Sequence, residues 1–575
     1  MFRWAAAFAS LSIVAAKGDP DEEECLLQVR SKEVATGCWE PYCGDQYPCG
    51  KFQLIEGLPC CDHPDYESKP GYDSWWTGHV YAEPVTQTAL PILVFDTLGK
   101  NPSCNHDKVE TNVFIIYDAT GAPNTITGDA VEMHSSENTR IRIAGQSSRG
   151  FAKKQFNIYP DDDVSILGMP KQEDYRAYAP WQDGSALKNW LTFTMVRCNG
   201  AWAPRMQAMR AYLVSEGPTG EYGPRDMGFY WLMEKIERGK KKLDIASKSC
   251  DTAPDCGYLI EIDRSCAQAD PGSCLAINSC IGVPVEIQYP SNPTSEHMNF
   301  MQNYINKMCE NAHSDKLFDY IDAESFYDQF VYTQVSMNVD SYISSEYVHK
   351  TQGGKIKAGP QWDFNLAYGE NYEKHDVMAR TGRNPEEPDF GWFRNGDNPS
   401  EPLKTLGSLH GTFGWEKFLR NQKFVDGLIC HYKNLRAFNM TDDRVMAIID
   451  EGHAWLKLEG AADSFLTDID KKVSELKTWT KARLAWMDAN IDNYKLGLSS
   501  ACPEYTPPSE EEVLGNCQMP KAGEPLQLEL SDFTPMEPIW YSPPSCDVCD
   551  CGWTHGGALC GIDDGSNCYS CCCKK

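Results

Sequence analysis

The chain has 575 residues, of which 41% are hydrophobic and 11% aromatic; it is too long for one ordinary core and too apolar for a disordered protein. Its formal net charge of −29 argues against nucleic acid as the main partner and favours cations or basic substrates. Its 25 cysteines, behind an apolar leader, point to an oxidising compartment and several disulfides.

In chain order, Met1-Phe2-Arg3-Trp4 precedes the apolar run "AAAFASLSIVAA", which ends in the small residues Val14, Ala15 and Ala16. Residues 1–16 are therefore expected to be a cleaved secretory signal. No later stretch is apolar for long enough to span a bilayer, so a protein that is secreted or resident in the secretory lumen is expected. Residues 17–104 form a cysteine-rich N-terminal segment, with Cys25, Cys38, Cys43, Cys49, Cys60 and Cys61 crowded together. Residues 105–500 carry clear strand and helix patterns and form the core domain. Residues 501–545 read as a proline- and acid-rich linker ("PEYTPPSEEE", "YSPPS"). Residues 546–575 are a cysteine-rich module too short to bury a core; with one histidine and no paired C-x-x-C knuckles, disulfides suit it better than zinc. Asn439-Met440-Thr441 is a glycosylation acceptor sequence.

Within the core domain the first elements are strands. "NVFIIYDA" (112–119), "RIRIAG" (140–145), "QFNIY" (155–159), "MRAYLV" (209–214), "GFYWLME" (228–234) and "GYLIEID" (257–263) are short, β-branched or aromatic, and bounded by glycine, proline or charge. Helices follow. Residues 296–313 place Phe300, Tyr304 and Met308 on one face, residues 323–337 repeat apolar side chains at helical spacing behind an Asp322 cap, and residues 474–494 carry Leu476, Trp479 and Trp486. Strands first and helices later is the order of an α+β domain with two lobes.

Asp340 stands just past the second helix. "EYVHK" and "GGKIKAG", joined by Gln352-Gly353-Gly354, form a hairpin signal and lead into Trp362-Asp363-Phe364-Asn365. A hairpin returns the chain to its start, so Asp340 and Asp363 are expected at one end of the two strands, where a shared cation or proton would relieve their repulsion. Helix, Asp, hairpin, Asp is also how protein kinases present their base and their magnesium ligand. Upstream, "TRIRIAGQSSRGFAKKQFNIY" forms strand, loop, strand. Its small residues Ser147, Ser148 and Gly150, with Arg140, Arg142, Arg149, Lys153 and Lys154, suit a polyphosphate. Glu234, closing "GFYWLME", is the carboxylate expected to hold such a lysine. Each feature has a plainer reading: Asp340 capping a turn, Asp363 accepting backbone N–H bonds, and the basic hairpin lying solvated.

Together "RIAGQSSRGFAKKQF", "LKNWL", "GFYWLMEKIE", "GYLIEIDR", "QVSMNVDSY" and "GGKIKAGPQWDFNLAYG" resemble the spore-coat protein H (CotH) kinase family in order and spacing, strongly over 140–370 and more weakly to about 494. The resemblance implies a reduced, atypical kinase fold that binds ATP with Mg2+ or Mn2+ and phosphorylates serines of secreted or coat proteins. Carried over, Lys154 or its neighbour Lys153 would meet the phosphates, Glu234 would fix that lysine, and Ser147, Ser148 and Arg149 would line the phosphate loop. Asp340 would be the base and Asp363, with Asn365, the metal site; Asn189 falls in a further family motif. The sequence departs from the family where Ala144 and Gln146 replace an arginine and an asparagine of the loop. It departs again at Asn365, where the usual motif has aspartate, and at Ser345, where a kinase-style asparagine would stand. Two functions are therefore carried forward: a secreted Ser/Thr protein kinase, and a catalytically weak or inactive kinase-like surface protein that binds a partner, with the cysteine-rich modules contributing recognition. A structural extracellular protein holding a cation but no nucleotide is a third.

Overall fold

The computed structural model describes most residues between 85 and 503, leaving out 370–412 and some shorter stretches, together with 553–554 and 557–558. The expected signal peptide, most of the N-terminal cysteine-rich segment, most of the linker and nearly all of the C-terminal module lie outside the described residues. Within them the fold is mixed α+β, sheet-rich first and helical later.

Strands β1 (Ile92–Asp96), β2 (Val109–Glu110), β3 (Asn112–Ile116), β4 (Ala130–His134), β5 (Thr139–Ile143), β6 (Phe156–Pro160), β7 (Tyr175–Tyr178), β8 (Met206–Glu216) and β9 (Tyr222–Glu234) build one sheet in the order β2-β5-β6-β7-β9-β8-β1-β3-β4. Its pairings are antiparallel except that of β1 with β8. The run "ILVFD" of β1 is buried along its whole length, as a strand covered on both faces must be, and it sits between β8 and β3. The sheet thus begins upstream of residue 105, where the cysteine distribution had put the start of the core domain.

Helix α1 (Lys188–Cys198), between β7 and β8, has all eleven residues buried, Lys188, Asn189 and Arg197 among them. A helix enclosed on every side shows no apolar stripe, so its periodicity does not announce it. Its Trp190 stacks on Trp231 of β9 with ring centroids 4.9 Å apart and donates its indole N–H to the Ile448 carbonyl at 3.0 Å.

A second sheet, β11-β12-β10-β13-β14, contains β10 (Tyr258–Ile262), β11 (Cys274–Leu275), β12 (Val285–Tyr289), β13 (Glu346–Lys350) and β14 (Ile356–Ala358). The expected hairpin is β13–β14, with Val348 opposite Ala358. Gly353 has φ +66°, a left-handed conformation that glycine adopts without the Cβ penalty.

The helices that follow are α2 (Ser295–Glu310), α3 (Ala323–Ser336), α4 (Trp415–Phe418), α5 (Gln422–Ala437), α6 (Asp442–Glu459) and α7 (Ile469–Asn490); α2 and α3 pack on this sheet, α5 and α7 on α3, and α6 on α1 and α7. The Asp322 carboxylate accepts from the Ser325 N–H at 3.1 Å and caps α3 as expected. On α2 the buried face is His297, Met301, Ile305 and Met308; Phe300 and Tyr304 lie beside it, their rings about the Lys350 ammonium at 5.5 and 5.2 Å. Cys250–Cys256 and Cys430–Cys502 are disulfides, the second tying α5 to the chain beyond α7. Among the described residues no helix is long and apolar enough to cross a membrane. Asn439 is buried and its amide nitrogen, the atom a glycan would use, donates to Asn199 at 3.0 Å.

Candidate active site

Between the large sheet, α1 and the loops around the β13–β14 hairpin lies a cleft of about 610 Å³. Both signs of charge line it. β5, β7 and the end of β9 contribute Arg142, Arg176 and Lys235, and Lys153 joins them from the loop before β6. Glu261, Asp263, Asp340 and Asp363 line the same cleft, with Arg176 coupled to Asp363 and Glu261.

Asp340 and Asp363, separated in sequence by the hairpin, both line this cleft. Asn338 joins their backbones: its Oδ1 accepts from the Asp340 N–H at 3.3 Å and its Nδ2 donates to the Asp363 carbonyl at 3.0 Å. Burial, and then the Asp340 charge, push the Asp363 carboxyl up to about 6, against the pull of Arg176. Among the described residues, four of the seven non-glycine residues with positive φ fall at or beside the pair: Met337 at 51°, Ser345 at 53°, Asp363 itself at 58° and Tyr368 at 56°. Each costs roughly 1–2 kcal/mol, so the packing around this loop must over-determine its path.

That packing comes from α1 and the end of α3. The Asn189 Oδ1 accepts from the Phe364 N–H at 2.7 Å, and the Lys188 ammonium donates to the Asn365 carbonyl at 2.9 Å. The Thr192 and Tyr368 hydroxyls meet at 2.7 Å, while the Tyr368 N–H donates to the Ser336 carbonyl at 2.6 Å. The Asn365 amide nitrogen donates to Gln182 at 3.2 Å, leaving its oxygen as the atom suited to a cation.

Among the cations Lys153 lines the cleft, whereas Lys154 is buried outside it, and burial pushes the Lys154 ammonium down to about 8. The expected Lys154–Glu234 pairing is replaced by a different one. Glu234 is fully buried, accepts from the Arg205 backbone N–H at 2.7 Å and forms an ion pair with the Arg205 guanidinium at 3.2 Å. Strand alternation explains this: along β9 and its exit, Met233 and Lys235 turn into the cleft, so Glu234 between them turns away. Ser148 lines the cleft and its hydroxyl accepts from Gln155 Nε2 at 2.8 Å; Gln155 Oε1 is buried with no hydrogen-bond partner among the described residues. Gly145 has φ +96°, and a Cβ there would lie 1.7 Å from the Ser148 hydroxyl, so this turn requires glycine. Ser147 and Arg149 lie outside the described residues.

Four charged cleft residues were not anticipated, Arg176, Lys235, Glu261 and Asp263, and the contacts of two of them are specific. Arg176 donates its Nε–H to Asn157 at 2.9 Å, lies 5.1 Å from the Trp362 ring centroid, and is drawn electrostatically to Asp363. Glu261 accepts from the Tyr347 hydroxyl and from Gln288 Nε2, each at 2.7 Å; burial, with Asp263 and Glu286 nearby, lifts its carboxyl to about 7. Glu261 belongs to the quoted "GYLIEID" strand, and alternation alone would have put it on one face with Leu259 and Asp263. Arg176 is flanked by Tyr175 and Ala177 in a strand of four residues, too short for a periodic signal. Among the described residues no three His, Cys, Asp or Glu side chains converge as a metal-binding group.

An α+β chain with a deep cleft that gathers cations with a strained pair of aspartates has the makings of a site for a metal-bound polyphosphate. The family model for CotH kinase protein matches residues 141–487, from β5 to the end of α7. The chain belongs to the CotH kinase family. No curated protein matches it.

Proposed function

We propose that the protein is a secreted atypical protein kinase, with a two-lobed kinase-like domain that includes β1 and runs to about residue 500, that transfers the γ-phosphoryl group of ATP to serine or threonine hydroxyls of secreted or surface proteins. The observation that carries this reading is the gathering, in one cleft, of Arg142, Lys153, Arg176 and Lys235 with Asp340 and Asp363. In it, Lys153, Arg142 and Arg176 face the phosphates, and Ser148, with its sequence neighbours Ser147 and Arg149, forms the phosphate loop. Asp340 accepts the proton of the attacking hydroxyl as the new P–O bond forms and the bond to the β-phosphate oxygen breaks.

The residues fit a divalent cation. The Asp363 carboxyl is raised by burial and by Asp340, a strain that a cation relieves, and the Asn365 oxygen adds a neutral ligand. Magnesium characteristically takes only one or two protein carboxylates and completes its shell with phosphates and water, so a cluster of three acidic groups is not required. Bound there, Mg2+ or Mn2+ supplies charge neutralisation for the phosphates. Lys154 and Glu234, in this reading, support the sheet beneath the cleft. Secretion is supported by the disulfides, and the cysteine-rich segments 17–104 and 546–575, with the 501–545 linker, are proposed as recognition or anchoring modules.

Purified protein incubated with labelled ATP and Mg2+ or Mn2+ should take up label or pass it to a protein substrate, and Asp340→Ala and Asp363→Ala should each abolish this. Uptake indifferent to both substitutions would overturn the assignment. A second reading, a catalytically weak or inactive kinase-like protein that binds a surface partner, is favoured by Asn365, which stands where the family motif has aspartate and whose side-chain nitrogen is engaged by Gln182. Absence of both phosphoryl transfer and an ATP-dependent rise in melting temperature would favour it.

A further inference from the structure

The positive charge of the large sheet does not stop at the cleft. The Tyr159 ring of β6 is ringed by cations: the Lys108 ammonium lies 3.8 Å from its centroid, that of Lys235 5.2 Å and the Arg142 guanidinium 5.5 Å. Arg140 shares the strand face of Arg142, two residues away. Register explains the grouping. β2 is the outermost strand, and its pairing of Val109 with Ile141 carries Lys108, just before it, to the level of Arg142. The result is a strip running from the sheet edge at Lys108 across β5 and β6 to Lys235 at the cleft.

Three carboxylates accompany these four cations: Asp161 beside Arg140, Asp174 at 2.6 Å from Lys235, and Glu110, which stands opposite Arg140 in the strand register and is itself paired with a fifth cation, Lys100, at 2.9 Å. The excess is felt: burial and repulsion from Arg140, Arg142 and Lys235 lower the Lys108 pKa, with Asp174 opposing. Arg142 also brings a buried Nε with no hydrogen-bond partner among the described residues. In a chain of net charge −29, a surplus of cations on an accessible strip runs against the overall field. Nucleotide phosphates explain only its inner half, because Arg142 and Lys235 line the cleft whereas Lys108 and Arg140 do not. Lys108 is exposed, at the edge.

We infer that the strip formed by Lys108, Arg140 and Arg142 around Tyr159 docks an acidic peptide segment whose serine or threonine enters the adjoining cleft. The inference rests on the phosphotransfer reading of that cleft and adds to it the substrate class: acceptor hydroxyls with carboxylates nearby in sequence. The chain itself contains such a segment, "YTPPSEEEVL" (505–514), in which Ser509 precedes Glu510, Glu511 and Glu512.

The test uses the full-length protein, the peptide YTPPSEEEVL bearing a fluorophore, and a control in which its glutamates are glutamine. By fluorescence anisotropy the acidic peptide should bind at least tenfold more tightly than the control, with affinity falling as salt rises. Lys108→Glu combined with Arg140→Glu should abolish that preference, and the milder Lys108→Gln with Arg140→Gln should reduce it. In phosphorylation assays the reversed pair should raise KM for the acidic peptide about tenfold, leaving kcat and the KM for ATP unchanged. Equal binding of both peptides, peptide binding indifferent to the charge reversals, or a matching rise in the KM for ATP would overturn the inference. Anisotropy needs no turnover, so charge-dependent peptide binding in a protein that transfers no phosphoryl group upholds the docking strip and rejects only the kinase reading.

Discussion

The Asn189 side chain accepts a 2.7 Å hydrogen bond from the backbone N–H of Phe364, across 175 residues of sequence. The motif "LKNWL" therefore acts as a clamp on the loop that presents Asp363. Asn189→Ala would leave a buried N–H unsatisfied, at a cost of about 1–3 kcal/mol. Urea unfolding should show that loss, and the ATP-dependent rise in melting temperature should shrink with it. Asn189→Asp, which keeps the acceptor, should retain more of both, and identical behaviour of the two variants would contradict the clamp.

The Asp363 carboxyl gives a signed pH dependence. Its folded pKa of about 6 lies above that of an ordinary aspartate, so between the two values the folded state binds more protons than the unfolded state. Stability without metal should therefore decline as pH rises from about 4 to about 6, by an amount on the order of 1–3 kcal/mol, and level off above. Asp363→Asn should flatten this slope. Adding Mg2+ or Mn2+ should stabilise the parent at pH 7, far less at pH 4, and the variant little at either. A slope that survives the substitution would locate the titration elsewhere.

Lys153 and Glu234 should separate binding from stability. Lys153 lines the cleft, so Lys153→Ala should remove most of the ATP-dependent thermal shift with little change in the melting temperature of the free protein. Glu234→Gln should do the reverse, because it disrupts the pair with Arg205; the loss should be about 1–3 kcal/mol in unfolding assays. Loss of nucleotide binding in Glu234→Gln at unchanged stability would restore the expected lysine–glutamate pairing.

Asn365→Asp tests whether the missing charge limits activity. A second carboxylate beside Asp363 should tighten divalent-cation binding and raise the phosphorylation rate at subsaturating Mg2+. Calorimetric titration of the metal and a rate assay read the two effects; weaker metal binding in Asn365→Asp would show that this side chain serves the Gln182 contact instead.

Much of this was legible in local pattern. The strands "RIRI", "FNIY" and "YLIEI", the Asp322 cap and the Gly353 turn each depend on neighbours within a few residues, and a hairpin's return implies that Asp340 and Asp363 approach one another. The lysine–glutamate pairing failed for a reason the sequence also contained. Glu234 and Lys235 are adjacent on an extended chain and must point to opposite faces, and it is Lys235 that the cleft receives.

What the sequence by itself determined was the set of elements, the family-like motifs and the two aspartates, because hydrophobic periodicity, capping and turn chemistry act over short separations. Tertiary structure alone decided that Arg176 faces Asp363, that Glu261 sits among other carboxylates, and that α1 is enclosed on every side. Those outcomes follow from the strand order β6-β7-β9 and from packing between elements far apart in the chain. The charge a cleft side chain feels depends on which strand lies beside it, and strand order is settled by the burial of whole faces rather than by any one segment.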